Sequence, residues 1–129
     1  MLLVDERFEI ASVLNGQAML NVGCYTDIVS GAGKTFAFSN GIRALKPDVI
    51  ITDELMNHED VSACLRAINS GVKVIATVHA KSHIDLMNKY EFKELFKGVY
   101  FERFVILNSK NGPGNVSLIL DENFKPIYF

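Results

Sequence analysis

The sequence predicts an α/β fold: a mostly parallel sheet with helices packed on it, extended by a C-terminal antiparallel hairpin. Strand-like and helix-like segments alternate through the first hundred residues. Two of the strand-like runs, 48–52 and 72–78, are rich in β-branched aliphatics, as buried parallel strands are. Two further runs, 103–107 and 116–120, flank a Gly-rich turn containing Pro113 and read as a hairpin. The length of 129 residues, 49% hydrophobic and 22% charged, suits one globular domain with a genuine core.

Each element follows from local pattern. Met1-Leu2-Leu3-Val4 is a short apolar strand ending in Asp5-Glu6-Arg7. Glu9-Ile10-Ala11-Ser12-Val13-Leu14 suggests a helical turn, and Asn15-Gly16 a turn proper. The stretch around Gly23, Gly31 and Gly33 reads as a long ordered loop, with at most a weak strand over 24–29. Lys34–Leu45 is expected to be helical, with Phe38, Ile42 and Leu45 inward, and Pro47 stops it. After strand 48–52, Asn57 is placed to cap a helix whose apolar stripe is Val61, Cys64, Leu65 and Ile68. Strand 72–78 follows, then one broken or two short helices over 81–97. The hairpin and a last short strand at 126–129 close the chain as a β-meander.

Composition excludes several classes of function. A net charge of −2 without a long like-charge block argues against a nucleic-acid or membrane-surface footprint. Cys24 and Cys64 have no metal-ligand spacing and read as free thiols of a reducing compartment. Asp5, Glu6 and Arg7 interrupt the first apolar run, unlike a signal peptide. No run reaches eighteen apolar residues, so no membrane-spanning helix is expected.

The chemistry is expected at the strand tips. Pro47-Asp48-Val49-Ile50-Ile51-Thr52-Asp53-Glu54 carries an adjacent acidic pair to the carboxyl end of a parallel strand, where ligands of open α/β sheets bind. Successive side chains of a strand face opposite ways, so one acid can serve a metal ion and the next a water molecule. In a nucleotide hydrolase, Asp53 would stand in the first or second shell of magnesium, and Glu54 would orient or deprotonate the attacking water. Thr77 and His79, at the end of the next strand, are placed to sense a γ-phosphate. Glu6 and Arg7, at the end of the first, are placed to meet water or nucleotide. Arg43 and Arg66 read as exposed helix arginines.

Ser30-Gly31-Ala32-Gly33-Lys34-Thr35 contains the tail of a phosphate-binding loop but lacks its first glycine, since residue 28 is Ile. It reads as a flexible glycine loop leading into a helix. The alternative is a degenerate phosphate nest, in which Lys34 and backbone N–H groups meet an anion.

Taken in order, Val4-Asp5-Glu6-Arg7-x-Glu9-Ile10-Ala11, Asp27-Ile28-Val29, Pro47-Asp48-Val49-Ile50-x-Thr52-Asp53-Glu54, Glu59-Asp60-x-x-Ala63 and Gly71-Val72-x-Val74-Ile75-Ala76-Thr77-x-His79-Ala80 resemble the C-terminal part of the stage III sporulation protein AA ATPases. The resemblance runs from residue 2 to about 107. It implies a partial RecA-like P-loop NTPase core over 1–107, with 108–129 as a β-meander extension of the same single domain. It further implies that Asp53-Glu54 is the Walker B pair, that Glu6 belongs to an acidic element near the nucleotide, and that Thr77 and His79 lie on the sensor strand. The family's phosphate loop precedes the Val-Asp-Glu-Arg strand, so residues 30–35 would not be that loop. The phosphate-loop strand would lie between the strand ending at His79 and the one at 103–107, leaving both with an unpaired edge here.

The expected function is thus magnesium-dependent ATP hydrolysis in an intact protein, driving assembly or transport through a secretion-like complex, with ATP and Mg2+ as cofactors. This chain alone would be weak or inactive, because the transition-state charge would lack the phosphate loop. Family resemblance implies a homo-oligomer, a ring in the intact protein or edge-paired strands here, working on membrane-embedded sporulation channel components from the mother-cell cytoplasm or from the membrane periphery. A non-catalytic scaffold that keeps the ATPase fold is the main rival. A phosphatase or metal-dependent hydrolase built on Asp53, Glu54 and His79 is a third reading.

Overall fold

In a computed structural model of the protein, residues 1–110 and 112–128 are described. The chain has an α/β fold with a mostly parallel central sheet, flanking helices and a C-terminal antiparallel hairpin. It divides into two compact units, Met1–His79 and a second that begins at Ala80.

The first unit is built on four parallel strands. They are β1 (Leu2–Asp5), β4 (Asp27–Ser30), β5 (Val49–Glu54) and β6 (Lys73–Thr77), in the spatial order β4-β1-β5-β6. A two-residue antiparallel pair, β2 (Val13–Leu14) and β3 (Gln17–Ala18), lies between β1 and β4 in sequence and turns at Asn15-Gly16 as the turn signal predicts. Leu2, Val4 and Ile50 are fully buried, so the centre of this unit lies on β1 and β5.

Two helices complete this layer. α1 (Lys34–Leu45) has the predicted bounds, but its inner face is Ala37, Phe38 and Gly41, while Leu45 is exposed. The reason is a close approach: a Cβ on Gly41 would collide with the Leu2 side chain, so the glycine that weakens the helix also seats it on β1. α2 (His58–Asn69) is capped as expected, the Asn57 side chain accepting from the Asp60 N–H at 2.9 Å. Val61, Cys64 and Ala67 are fully buried along it.

Burial pushes the Cys64 thiol from its ordinary 9.0 up to about 12. A raised folded pKa favours the native state fully below the unfolded value, so this contribution falls away as pH rises from about 9 toward 12. At neutral pH a thiol reagent should modify exposed Cys24 alone, and Cys64 only in denaturant. Two reactive thiols in the native chain would contradict this packing.

Four expectations over these residues need correction. Glu9-Ile10-Ala11-Ser12-Val13-Leu14 is not a helical turn; the Asp5 carboxylate captures the N–H groups of Glu9, Ile10 and Ala11 and bends the chain. The weak strand over 24–29 is a real one, β4, shifted to Asp27–Ser30 and held by parallel pairing with β1. The run 72–78 is not a buried strand: β6 pairs only with β5 among the described residues, and Lys73, Ile75 and Thr77 are exposed. Pro126 makes one bridge, to Leu120, instead of a strand over 126–129; Phe129 of that stretch lies outside the described residues.

The second unit begins with two short helices, as the broken pattern over 81–97 suggests: α3 (His83–Asn88) and a 3₁₀ helix (Tyr90–Phe96). β7 (Arg103–Asn108) and β8 (Asn115–Asp121) then form the antiparallel hairpin; Asn111 in its turn lies outside the described residues. Phe92, Leu95 and Leu120 are buried in this unit. Phe104 stacks on Phe124 at 4.5 Å between ring centres, and Phe96 packs against both.

Candidate functional site

The carboxyl ends of β1, β5 and β6 lie on the same side of a parallel sheet, because parallel neighbours share direction. Leu2 is opposite Ile50 and Glu54 opposite Thr77, so Glu6, Asp53, Glu54 and His79 all leave the sheet at that end. A register shift between Ile51 and Glu54 bends the tip of β5. There Asp53 turns into the buried side and Glu54 toward the open one, side chains 4% and 25% exposed.

A residue that the sequence placed at the start of a helix, outside the acidic cluster, holds this end together. Lys34 opens α1, yet its side chain is 1% exposed, with Nζ 2.6 Å from Asp53 Oδ1 and donating to Glu6 Oε2 at 2.7 Å. Burial alone would push this ammonium down; the hydrogen bonds to Asp53 and Glu6 outweigh it and hold it above the usual lysine range. Residues 31–33 are the expected glycine loop leading into a helix, but the loop is packed and its lysine buried. Gly31, at φ +68°, sits under the Phe8 ring, where an added Cβ would come within 2.8 Å of Cζ. The Gly31 N–H also donates to the Asp5 carbonyl at 3.2 Å, fixing the turn that aims Lys34 inward.

Asp53 is engaged on both oxygens. Oδ2 accepts the Arg7 backbone N–H at 3.3 Å, and Oδ1 also takes the Thr52 hydroxyl at 3.4 Å. Glu54 Oε2 stands 3.9 Å from both Arg7 Nη1 and His79 Nε2. Arg7 Nε is 3.6 Å from Glu9 as well. The Thr77 carbonyl accepts the Leu55 N–H at 2.9 Å, tying the end of β6 to the chain just past β5. An open groove of about 550 Å³ between α1 and α2 reaches Glu6 and Lys34, with Asp60 and Arg66 farther along, but not Asp53. Among the described residues no three His, Cys, Asp or Glu side chains are grouped to hold a metal ion. Nor is any helix among them long and apolar enough to cross a membrane.

The structure thus brings together Glu6, Arg7, Asp53, Glu54 and His79, with Thr77 beside them in the strand register. Sequence reasoning missed Lys34 as a member. The available signal was a lysine at a helix start with no acid in the first turn, in the element directly before an adjacent pair of acids.

A family model described as "Sporulation stage III, protein AA" matches residues 1–127. The chain belongs to that family. It is 37% identical over 121 residues to the Bacillus subtilis (strain 168) protein named stage III sporulation protein AA, a match covering 94% of this chain and 39% of that protein. The chain therefore spans well under half the length of its curated relative. No solved structure matches. The arrangement of strands and helices in this family member is consistent with a RecA-like, P-loop NTPase type of core.

Proposed function

We propose that the clustered tips of β1, β5 and β6 are the acidic half of a magnesium-dependent ATP hydrolysis site that is completed in a longer protein. The observation that carries this reading is the convergence of Glu6, Asp53, Glu54 and His79 at the carboxyl end of one parallel sheet, with Glu54 partly open to solvent between two cationic or polar partners. Glu54 would orient the attacking water and accept its proton. Asp53 would act toward the magnesium ion, and Glu6 would complete the acidic surface. Arg7, Thr77 and His79 would meet the nucleotide's phosphates, positive and hydrogen-bonding groups facing negative oxygens. Magnesium, when bound with the nucleotide, supplies neutralising charge to those oxygens.

Family membership supports an assembly or transport role in sporulation for the whole protein, worked by a homo-oligomer on membrane-embedded channel components from the mother-cell cytoplasm. The exposed outer edge of β6 supports a further pairing partner in the longer chain or in a second copy. The scaffold reading is favoured by one observation, the neutralisation of Asp53 by Lys34.

The test uses a protein of the relative's full length. Glu54→Gln keeps the side chain's shape and removes its charge. Its ATP turnover should fall about 10²–10⁴-fold, the usual worth of a general base, while ATP affinity changes only a few-fold. Unchanged turnover would remove Glu54 from the catalytic role, and no ATP binding by the unaltered protein would establish the scaffold instead.

A further inference from the structure

We propose that Lys34 is the resident cation of the acidic site, a positioning residue that clamps Glu6 to Asp53 and keeps a divalent ion from direct contact with Asp53. The inference builds on the proposed function for its relevance to nucleotide chemistry, but the clamp itself stands on geometry. Asp53 is nearly sealed from solvent, and its Oδ1 faces an ammonium nitrogen 2.6 Å away. Its Oδ2 is turned to the Arg7 N–H. A magnesium ion binds oxygen at about 2.0–2.1 Å in a near-octahedral shell and gives up water reluctantly. Oδ1 offers it no such place while Lys34 remains, and Oδ2 belongs to a side chain only 4% exposed and already accepts the Arg7 N–H.

Lys34 is not free to swing away. Its backbone begins α1, which is pinned by buried Ala37 and Phe38, and Gly31 holds the preceding turn beneath Phe8. Glu6, 39% exposed and lining the open groove, is the adjustable partner of the three. Direct ligation of a divalent ion by Asp53 therefore does not fit these residues; a contact through the ion's water shell does. Removing the ammonium should convert the place into a two-carboxylate site of the kind that attracts such ions.

The probe is Mn2+ without nucleotide, its binding to this chain read by electron paramagnetic resonance. Lys34→Met should bind Mn2+ at least about tenfold more tightly than the unaltered chain, and Asp53→Asn added to it should abolish the gain. Equal affinities for Lys34→Met and the unaltered chain would overturn the inference. Because Lys34→Met removes a buried partner, a second measurement uses the unaltered chain alone. Lysine methylation read by mass spectrometry should find Lys34 the slowest to react, and still protected in saturating Mn2+. Mn2+-induced labelling of Lys34 would show that the ion displaces it, which also overturns the inference. Neither measurement contains ATP, so their failure leaves the Glu54 test standing, and the reverse holds too.

Discussion

Asp5→Ala is expected to cost this chain about 4 kcal/mol of stability, from the loss of several hydrogen bonds to a charged acceptor. Asp5 is completely buried, and its two oxygens accept from the N–H groups of Glu9 at 2.8 Å, Ile10 at 3.1 and 3.2 Å, and Ala11 at 2.8 Å. Alanine would leave those donors without an acceptor, and Ala11 is itself fully buried. The bend also sets the path of Arg7, whose N–H meets Asp53, and precedes left-handed Ser12 and Asn15. Urea unfolding should show the loss, and hydrogen exchange should show the Ala11 amide losing protection before those of β5. A change within about 0.5 kcal/mol, the range of surface substitutions, would mean the carboxylate does not organise this segment.

Asp53→Ala should lower stability by about 3 kcal/mol, the low end for removing one partner of a buried ion pair. Lys34 would then be sealed from water, bonded only to partly exposed Glu6 and with Asp60 acting on it at longer range. Asp53→Asn should cost less, since its amide oxygen can still accept from Lys34. Denaturant midpoints for the two variants check the order; an asparagine as damaging as the alanine would indicate that charge, not hydrogen bonding, dominates.

The legible parts of this fold were those that local chemistry dictates. Asn15-Gly16, the Asn57 cap, the bounds of α1 and the β7–β8 hairpin each follow from residues within a few positions of one another. Legible too was the gathering of Glu6, Asp53, Glu54 and His79, because parallel strands deliver their ends to one side. What could not be read depends on contacts that no local pattern announces, most of them distant in sequence. The bend at 8–12 is imposed by a carboxylate four to six residues back that outbids the helix for its N–H groups. β4 is a strand because β1 offers it a partner, and β6 is half exposed because, among the described residues, β5 alone pairs with it. Lys34 eluded the sequence reading for the same reason: its two partners are 28 residues before it, at Glu6, and on the far side of α1, at Asp53.

The most direct measurement of the site is a double-mutant cycle on stability with Lys34→Met and Asp53→Ala, singly and together. If one ammonium joins the tips of β1 and β5, removing either partner strands the other, and the double variant should recover much of the combined loss. The coupling should then be about 2 kcal/mol or more, within the range for residues in direct contact. Losses that simply add, within about 0.5 kcal/mol, would contradict the account.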